Sequence, residues 1–250
     1  MSLRLLVVAD AHLGSIPGDV EVFMAFLEEN LTGKTDLVLL GDLFDFWLGL
    51  ESLQREHQRR VLATLDSHRS RGVCLRYVEG NRDYFISHAF HPRPFDEVAG
   101  DRLWLSAADV RVCFEHGDLI NVQDRNYLRW RAFSRRPWIR HCVSVLPPTL
   151  VGRMSAVLER RFCSTNAAHR VVFPESLCRA RASEVFASGA QRFFVGHFHR
   201  LWEWQEESGG RACRATVVPA WQQERVGWIY EPAAGIDKLS GPMRGKSTCP

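Results

Sequence analysis

Apolar and polar positions along the 250-residue chain follow two alternating rhythms. Residues 3–9 are apolar at nearly every position, the pattern of a strand buried on both faces. Residues 20–31 place apolar side chains at 22, 23, 26, 27 and 31, which is helical spacing. A second buried strand is predicted over 36–40, a helix over 53–68 and a third strand over 73–78. Each strand runs at once into a loop rich in Gly, Asp, His or Asn: Asp10 to His12, then Gly41-Asp42, then Gly80-Asn81. Alternating strands and helices predict an α/β fold, in which ligands sit beyond the carboxyl ends of the strands.

The middle of the chain differs. Strands are predicted over 103–105 and 110–115, the second ending at His116-Gly117-Asp118. Two helices follow, over 124–135 and 149–163, the latter opened by Pro147-Pro148 and carrying Leu150, Val151, Met154, Val157, Leu158 and Phe162 on one face. A short strand over 193–195 ends at Gly196-His197-Phe198-His199, and antiparallel strands over 201–205, 212–218 and 226–230 close the fold. We expect one domain over residues 1–234, and a disordered tail over 235–250, where Gly, Pro, Ser and Lys accumulate.

Composition narrows the class. With 46% hydrophobic and 24% charged residues the chain is ordinary globular material, without an apolar run long enough to span a bilayer. Its opening residues reach Asp10 and His12 without a small-residue cleavage site, so they read as a first strand and not as a signal peptide, and a cytoplasmic location is expected. The seven cysteines are scattered without a CxxC pair and are expected to be reduced thiols. Charge is uneven: residues 125–161 hold nine arginines and one acid, a net +8, so the remainder carries −5 within a total of +3.

Candidate chemistry gathers at five strand ends: Asp10 and His12, Asp42, Asn81, His116, and His197 with His199. Carboxylate, imidazole and amide oxygen together suit divalent metals such as Mn, Fe or Zn. Because all seven follow predicted strands, all can lie on one edge of one sheet. His57, His68, His88, His91, His141 and His169 fall outside this series and read as structural or exposed.

The ordered series Asp10-Ala11-His12, GDLFD (41–45), GNRD (80–83), HGD (116–118) and GHFH (196–199) resembles the calcineurin-like metallophosphoesterases across about three quarters of the chain. The resemblance implies a four-layer α-β-β-α sandwich with two divalent ions at the strand ends, manganese being the expected metal. It assigns the first ion to Asp10, His12, Asp42 and His199, and the second to Asp42, Asn81, His116 and His197, with Asp42 bridging. Two such ions lower the pKa of water toward neutrality, so that hydroxide attacks phosphorus in line and no serine or cysteine nucleophile is needed.

Arg82 stands where most of these enzymes carry a histidine able to protonate a leaving alkoxide. Arginine stays charged and cannot serve as a general acid. This favours a leaving group that needs no proton, such as a phosphate released from a pyrophosphate, whose second pKa is about 6. Asp83 reads either as orienting a ligand or Arg82, or as a turn residue.

GDLFDFW, GNRD, and HGD followed by Asp124 and Tyr127 narrow the resemblance to the UDP-2,3-diacylglucosamine pyrophosphatases of lipid A synthesis. That resemblance implies cleavage to UMP and 2,3-diacylglucosamine 1-phosphate, with Asn81 and Arg82 on the phosphates and Asp124 and Tyr127 near the uridine or sugar. It also implies a helical lid over 124–165 that shelters acyl chains and meets the inner-membrane surface, where Trp130 and Trp138 suit the interface. Arg161 and Ser164 match two substrate-contacting positions. The two lysines of the pattern are missing, with His169 and Arg170 as stand-ins, and GHFH replaces the usual GHTH. Ala220-Trp221 matches a late motif. Alternatives are that the lid's apolar faces pack on the core beneath a solvated arginine surface, or that the substrate is a soluble nucleotide pyrophosphate or a nucleic-acid phosphodiester. Nucleic acid is not expected, since the rest of the chain is acidic and no nucleic-acid module is visible. A metal-free scaffold is disfavoured by the filled ligand positions.

Overall fold

In the computed structural model, which describes residues 4–31, 35–107, 109–147, 149–151, 153 and 173–231, the first half of the chain runs β1 (Arg4–Ala9), α1 (Asp19–Asn30), β2 (Thr35–Leu40), β3 (Trp47–Leu48), α2 (Glu56–Ser70), β4 (Leu75–Val78), β5 (Asp83–Tyr84), α3 (Ile86–Phe90) and β6 (Glu97–Ala99). The second half follows as β7 (Arg102–Ala107), β8 (Val110–Glu115), α4 (Arg125–Ser134), α5 (Pro137–Val145), α6 (Glu175–Ala187), β9 (Arg192–Val195), β10 (Trp202–Ser208), β11 (Arg211–Val217), α7 (Trp221–Glu224) and β12 (Trp228–Tyr230).

Two five-stranded sheets result. The first has the order β12-β1-β2-β4-β6 and is parallel except for β12; the second has the order β10-β11-β9-β8-β7, with β11, β9 and β8 parallel. A small β3–β5 ladder sits apart.

Strand alternation explains the layering. On β1, Leu6 and Val8 face outward onto Phe23, Phe26 and Leu27 of α1 and Val61, Leu62 and Leu65 of α2. Leu5, Val7 and Ala9 face inward, where they meet Phe114 and Phe194 of the second sheet. On that sheet Phe193 and Val195 turn the other way, onto Cys178, Ala182, Val185 and Phe186 of α6. The order is helices, sheet, sheet, helix: a four-layer α-β-β-α sandwich. β1 reads as uniformly apolar because each of its faces lines a different core. Each fully buried Phe or Leu here stabilises the fold by about 2–3 kcal/mol.

The structure corrects the sequence reading in several places. The seven candidate ligands lie on two facing sheets and not on one edge of one sheet, because β1, β2 and β4 pair together while β8 and β9 pair in the other sheet. β6 is too short to show a period. The first turns of α6 bury only the small Cys178 and Ala182, and its larger buried residues, Val185 and Phe186, are adjacent in sequence, which blurs the amphipathic signal. α5 fills a stretch left unassigned between the two predicted helices, and Pro137 occupies its first turn. Of the helix expected over 149–163, residues 149–151 and 153 are helical, and the remainder lies outside the described residues, as does the tail over 235–250.

The described cysteines are all free thiols: Cys113, Cys178 and Cys213 buried, Cys74 half-buried and Cys142 exposed. Among the described residues no helix is long and apolar enough to cross a membrane.

Candidate active site

The loops leaving β1, β2, β4, β8 and β9 converge where the two sheets meet. The β1 and β2 exits are zipped together by His12 N–H to Asp42 O at 3.0 Å and Leu13 N–H to Leu43 O at 2.9 Å. The β9 exit is tied across the sheets by His197 N–H donating to Asp10 Oδ2 at 2.6 Å. Asp19, at the start of α1, holds the loop after His12 by accepting from the N–H groups of Gly14 and Ile16 at 3.0 and 3.1 Å. Glycine is required where the loops touch: a Cβ on Gly80 would lie 2.3 Å from Asp42 Oδ1, and one on Gly41, itself at φ +75°, would lie 2.6 Å from His116 Nδ1.

The backbone is strained at this point. Among the described residues seven non-glycine residues have positive φ, and five of them are Asp10, His12, Asp42, His197 and His199. Each such residue costs on the order of 1–3 kcal/mol, a cost that persists where a site over-determines it.

Six side chains converge on a space of a few ångströms. His12 Nε2 lies 3.4 Å from His199 Nε2, 3.8 Å from Asp10 Oδ1 and 4.0 Å from Asp42 Oδ2. His199 Nε2 lies 3.4 Å from Asp10 Oδ1. His116 Nε2 lies 3.9 Å from Asp42 Oδ2 and 3.1 Å from Asn81 Oδ1. Its Nδ1–H donates to the Leu40 carbonyl at 2.7 Å, which aims Nε2 into the site. The His197 ring stands edge-on to His116, centroids 5.1 Å apart. Two groups, Asp10 with His12 and His199, and Asp10 with Asp42 and His116, have ligand atoms mutually within 4.8 Å, so either could hold a metal ion; Asp10 is common to both.

Electrostatics point the same way. Burial, helped by Asp83, pushes Asp42 up to about 7. Burial also pushes His12 well down and, with the neighbouring His116, takes His197 to about 4. Against burial, Asp42 and Asp10 lift His116 to about 9, and His199 holds Asp10 well below the usual carboxylate range. Asp10 Oδ1 and His12 Nδ1 are buried without a hydrogen-bond partner. Buried carboxylates crowded on imidazoles, with Asp10 Oδ1 unpartnered inside the site, fit a divalent cation, which would supply the missing positive charge. The donor set of oxygen and imidazole, without thiolate, suits the same group.

The remaining predicted residues fall as follows. Arg82 is buried: Nη1 donates to both the backbone O and Oδ1 of Asp45 at 3.2 Å, Nε lies 3.7 Å from Asp42 Oδ2, and its N–H donates to Asp42 Oδ1 at 2.9 Å. Asp83 grips backbone and not the Arg82 side chain. Its Oδ2 accepts from Asp42 N–H at 2.9 Å, Gly80 N–H at 2.7 Å and Tyr77 O–H at 2.7 Å. Asp124 caps α4 by accepting from Tyr127 N–H at 2.9 Å, and the Tyr127 hydroxyl donates to Asp118. Arg161, Ser164, His169 and Arg170 lie outside the described residues.

The basic segment is not uniformly a surface. Arg131 and Arg135 point inward onto Asp118 and onto the Gly80–Asp83 loop. Trp130 is half-buried, with Nε1 3.4 Å from the Tyr84 hydroxyl, whereas Trp138 is 51% exposed. Sequence reasoning also passed over Asp45, whose Oδ1 is 3.7 Å from His12 Nδ1, and Gln223, whose amide nitrogen is 3.3 Å from His199 Nδ1. The final Asp of GDLFD and the residues after Ala220-Trp221 were the available signals.

A sandwich that gathers carboxylate, imidazole and amide donors from both sheets at one edge defines a class: the chain is an enzyme of the metallophosphoesterase type. No protein-family model matches it. It is homologous to curated proteins named UDP-2,3-diacylglucosamine hydrolase. Among them are those of Enterobacter sp. (27% identical, over 96% of this chain and all of that protein), Azotobacter vinelandii (28%, 92% and 94%) and Stenotrophomonas maltophilia (28%, 89% and 92%). A solved Streptococcus pneumoniae protein, described as a predicted phosphoesterase, overlaps loosely, with TM-score 0.42 at 14% identity over 92% of this chain and 83% of that one.

Proposed function

We propose that this protein hydrolyses the pyrophosphate of UDP-2,3-diacylglucosamine to UMP and 2,3-diacylglucosamine 1-phosphate. The observation that carries the reading is its match, along nine tenths of its length, to curated hydrolases named for that substrate.

In this reading Asp10, His12, Asp42 and His199 hold one divalent ion, and Asp42, Asn81, His116 and His197 hold a second, with manganese the metal of choice for oxygen and imidazole donors. When bound, the ions supply Lewis-acid polarisation and an activated water. The chain itself supplies charge and orientation. Arg82 presents a permanent cation beside Asp42 and Asn81, suited to neutralising a phosphoryl oxygen and unable to donate a proton to the leaving group. A departing phosphate monoester needs no such proton. Asp83, through the backbone of Asp42 and Gly80, sets where these groups sit.

The same reading takes residues 1–234 as one domain, with 124–165 as the lid over the acyl chains and 235–250 as a tail. Asp124 and Tyr127, on the first turn of α4, would border the uridine or sugar, with Arg161 and Ser164 beyond them. The protein would act at the cytoplasmic face of the inner membrane. Support comes from the exposed face of the lid, where Phe133 (43%), Trp138 (51%) and Val145 (68%) stand among exposed Arg125, Arg129 and Arg136.

The test is hydrolysis of UDP-2,3-diacylglucosamine with Mn in detergent, beside UDP-glucose and bis-p-nitrophenyl phosphate. Selective release of UMP from the acylated substrate is expected. Cleavage of the generic diester alone would keep the metal site and discard the lipid substrate.

A further inference from the structure

Backbone ladders fix distances within a sheet, but between the two sheets only side-chain packing and a few hydrogen bonds do so, such as His197 N–H to Asp10 and His116 Nδ1–H to the Leu40 carbonyl. The second ion site proposed above straddles that seam, since Asn81 leaves β4 of one sheet and His116 leaves β8 of the other. The bond from His116 Nδ1–H to the Leu40 carbonyl orients one ring, but the loop that carries Asn81 and the backbone beyond His116 need further support to keep the 3.1 Å approach.

Two arginines one helical turn apart do this from the same face of α4. Arg135, its C-cap residue, donates through Nη2 to the carbonyls of Gly80 at 2.6 Å and Asp83 at 2.9 Å, the two residues that bracket Asn81 and Arg82. Its guanidinium lies over the Tyr84 ring, and Nε is 3.7 Å from the buried carboxylate of Glu79. Arg131 is 8% exposed and spends its guanidinium on three groups: Nε to Asp118 Oδ2, Nη1 to Asp101 Oδ1 and Nη2 to the Gly100 carbonyl, each at 2.8 Å. Asp118 is two residues beyond His116, and Gly100-Asp101 is the crossing from β6 of the first sheet to β7 of the second. The Tyr127 hydroxyl completes the hold on Asp118.

We infer that Arg131 and Arg135 are positioning residues for the second ion, and that α4 is a fixed brace across the seam and not a moving part of the lid. The inference rests on the proposed assignment of Asn81 and His116 as ligands. Neither arginine touches the ion or the substrate; each acts through a carbonyl or carboxylate that sets a ligand loop. Such supporting contacts typically change metal affinity about 10–100-fold when removed.

The experiment is Mn titration of the full-length chain after chelation, by calorimetry, for wild type, Arg131→Met, Arg135→Met and Arg135→Lys. Wild type is expected to bind two ions. Each Met variant should weaken one of the two steps about 10–100-fold and leave the other unchanged. Arg135→Lys, which keeps one donor for the carbonyls, should fall between. The Mn concentration giving half-maximal release of UMP from UDP-2,3-diacylglucosamine in detergent should rise by the same factor, with kcat regained at saturating Mn, a rescue that damage to folding would not allow. Unchanged steps in Met variants with native circular dichroism would overturn the brace alone. So would loss of both steps in proportion to an unfolded fraction. Fewer than two ions on wild type would overturn the ligand assignment and the brace with it.

Discussion

The carboxylate of Asp83 holds the backbone N–H of Asp42 at 2.9 Å, 41 residues away in sequence and on the neighbouring loop. The same oxygen accepts from Gly80 N–H and from the Tyr77 hydroxyl, and the residue is fully buried. One carboxylate thus sets the relative position of the GDLFD and GNRD loops. Asp83→Ala should leave three buried donors unsatisfied and cost about 3–5 kcal/mol, since each orphaned donor costs about 1–3 kcal/mol. Asp83→Asn keeps an acceptor and should cost about 1–2 kcal/mol. Urea unfolding in the presence of chelator measures both, and an alanine variant within about 1 kcal/mol of wild type would refute this account.

Arg82 and Asp42 touch the same space but should fail differently. Asp42 is buried with Oδ2 4.0 Å from His12 Nε2 and 3.9 Å from His116 Nε2, and Asp42→Ala is expected to abolish turnover together with metal content; residual activity above about 10% would show the metal centre misplaced. Arg82→His removes a permanent cation and should lower pyrophosphate cleavage about 100-fold, the scale of losing one charge-stabilising donor, with both ions retained. Metal analysis decides: loss of metal in Arg82→His would mean that its bond to Asp45 is the important one, and that Arg82 is structural.

How legible this was follows from what each feature depends on. The ligand series was readable because each member follows a strand at once, and strand ends are marked by Gly41, Gly80 and Gly196. Its distribution over two sheets was not, because nothing in β8 or β9 says which strands they pair with. Asp83 was ambiguous, since a residue that grips backbone N–H groups looks the same in sequence as a turn former. The arginines of α4 looked alike as a charged run. Only the fold separates Arg131 and Arg135, which point inward, from Arg125 and Arg129, which do not.

The Asp118–Arg131 pair gives the protein an acid limit that can be measured. Burial alone would raise Asp118, but Arg131, with His116 and His197, holds it down to about 2, below its ordinary 3.8. A carboxyl depressed by folding stabilises the native state above about pH 4, and that contribution is lost as pH falls toward 2. Asp118→Asn should therefore be destabilised relative to wild type at pH 6, and the gap should narrow by about 1 kcal/mol at pH 3. Urea titrations with chelator at the two pH values supply the comparison. An equal gap at both would mean that the pair adds nothing to the ionised state.

Cys142 offers a probe of the exposed face of α5, which the proposed function takes as part of a lid. Trp138, Cys142 and Val145 lie at i, i+4 and i+7 on α5, so they share one stripe, and all three are exposed. Phe133 extends the stripe by packing edge-on against Trp138, centroids 5.6 Å apart. If this face inserts at a bilayer, the Cys142 thiol leaves water with it. Cys113 and Cys178 serve as internal references, since burial pushes both thiols up to about 12 and withholds them from reagent in either state. Alkylation of Cys142, followed by peptide mass spectrometry, should slow about tenfold or more when vesicles containing anionic phospholipid are added, because exposure controls thiol reactivity. The slowing should weaken in high salt, which screens the flanking arginines. Zwitterionic vesicles should protect less. Equal labelling with and without anionic vesicles would remove the membrane from the reading and leave the stripe to cover acyl chains alone.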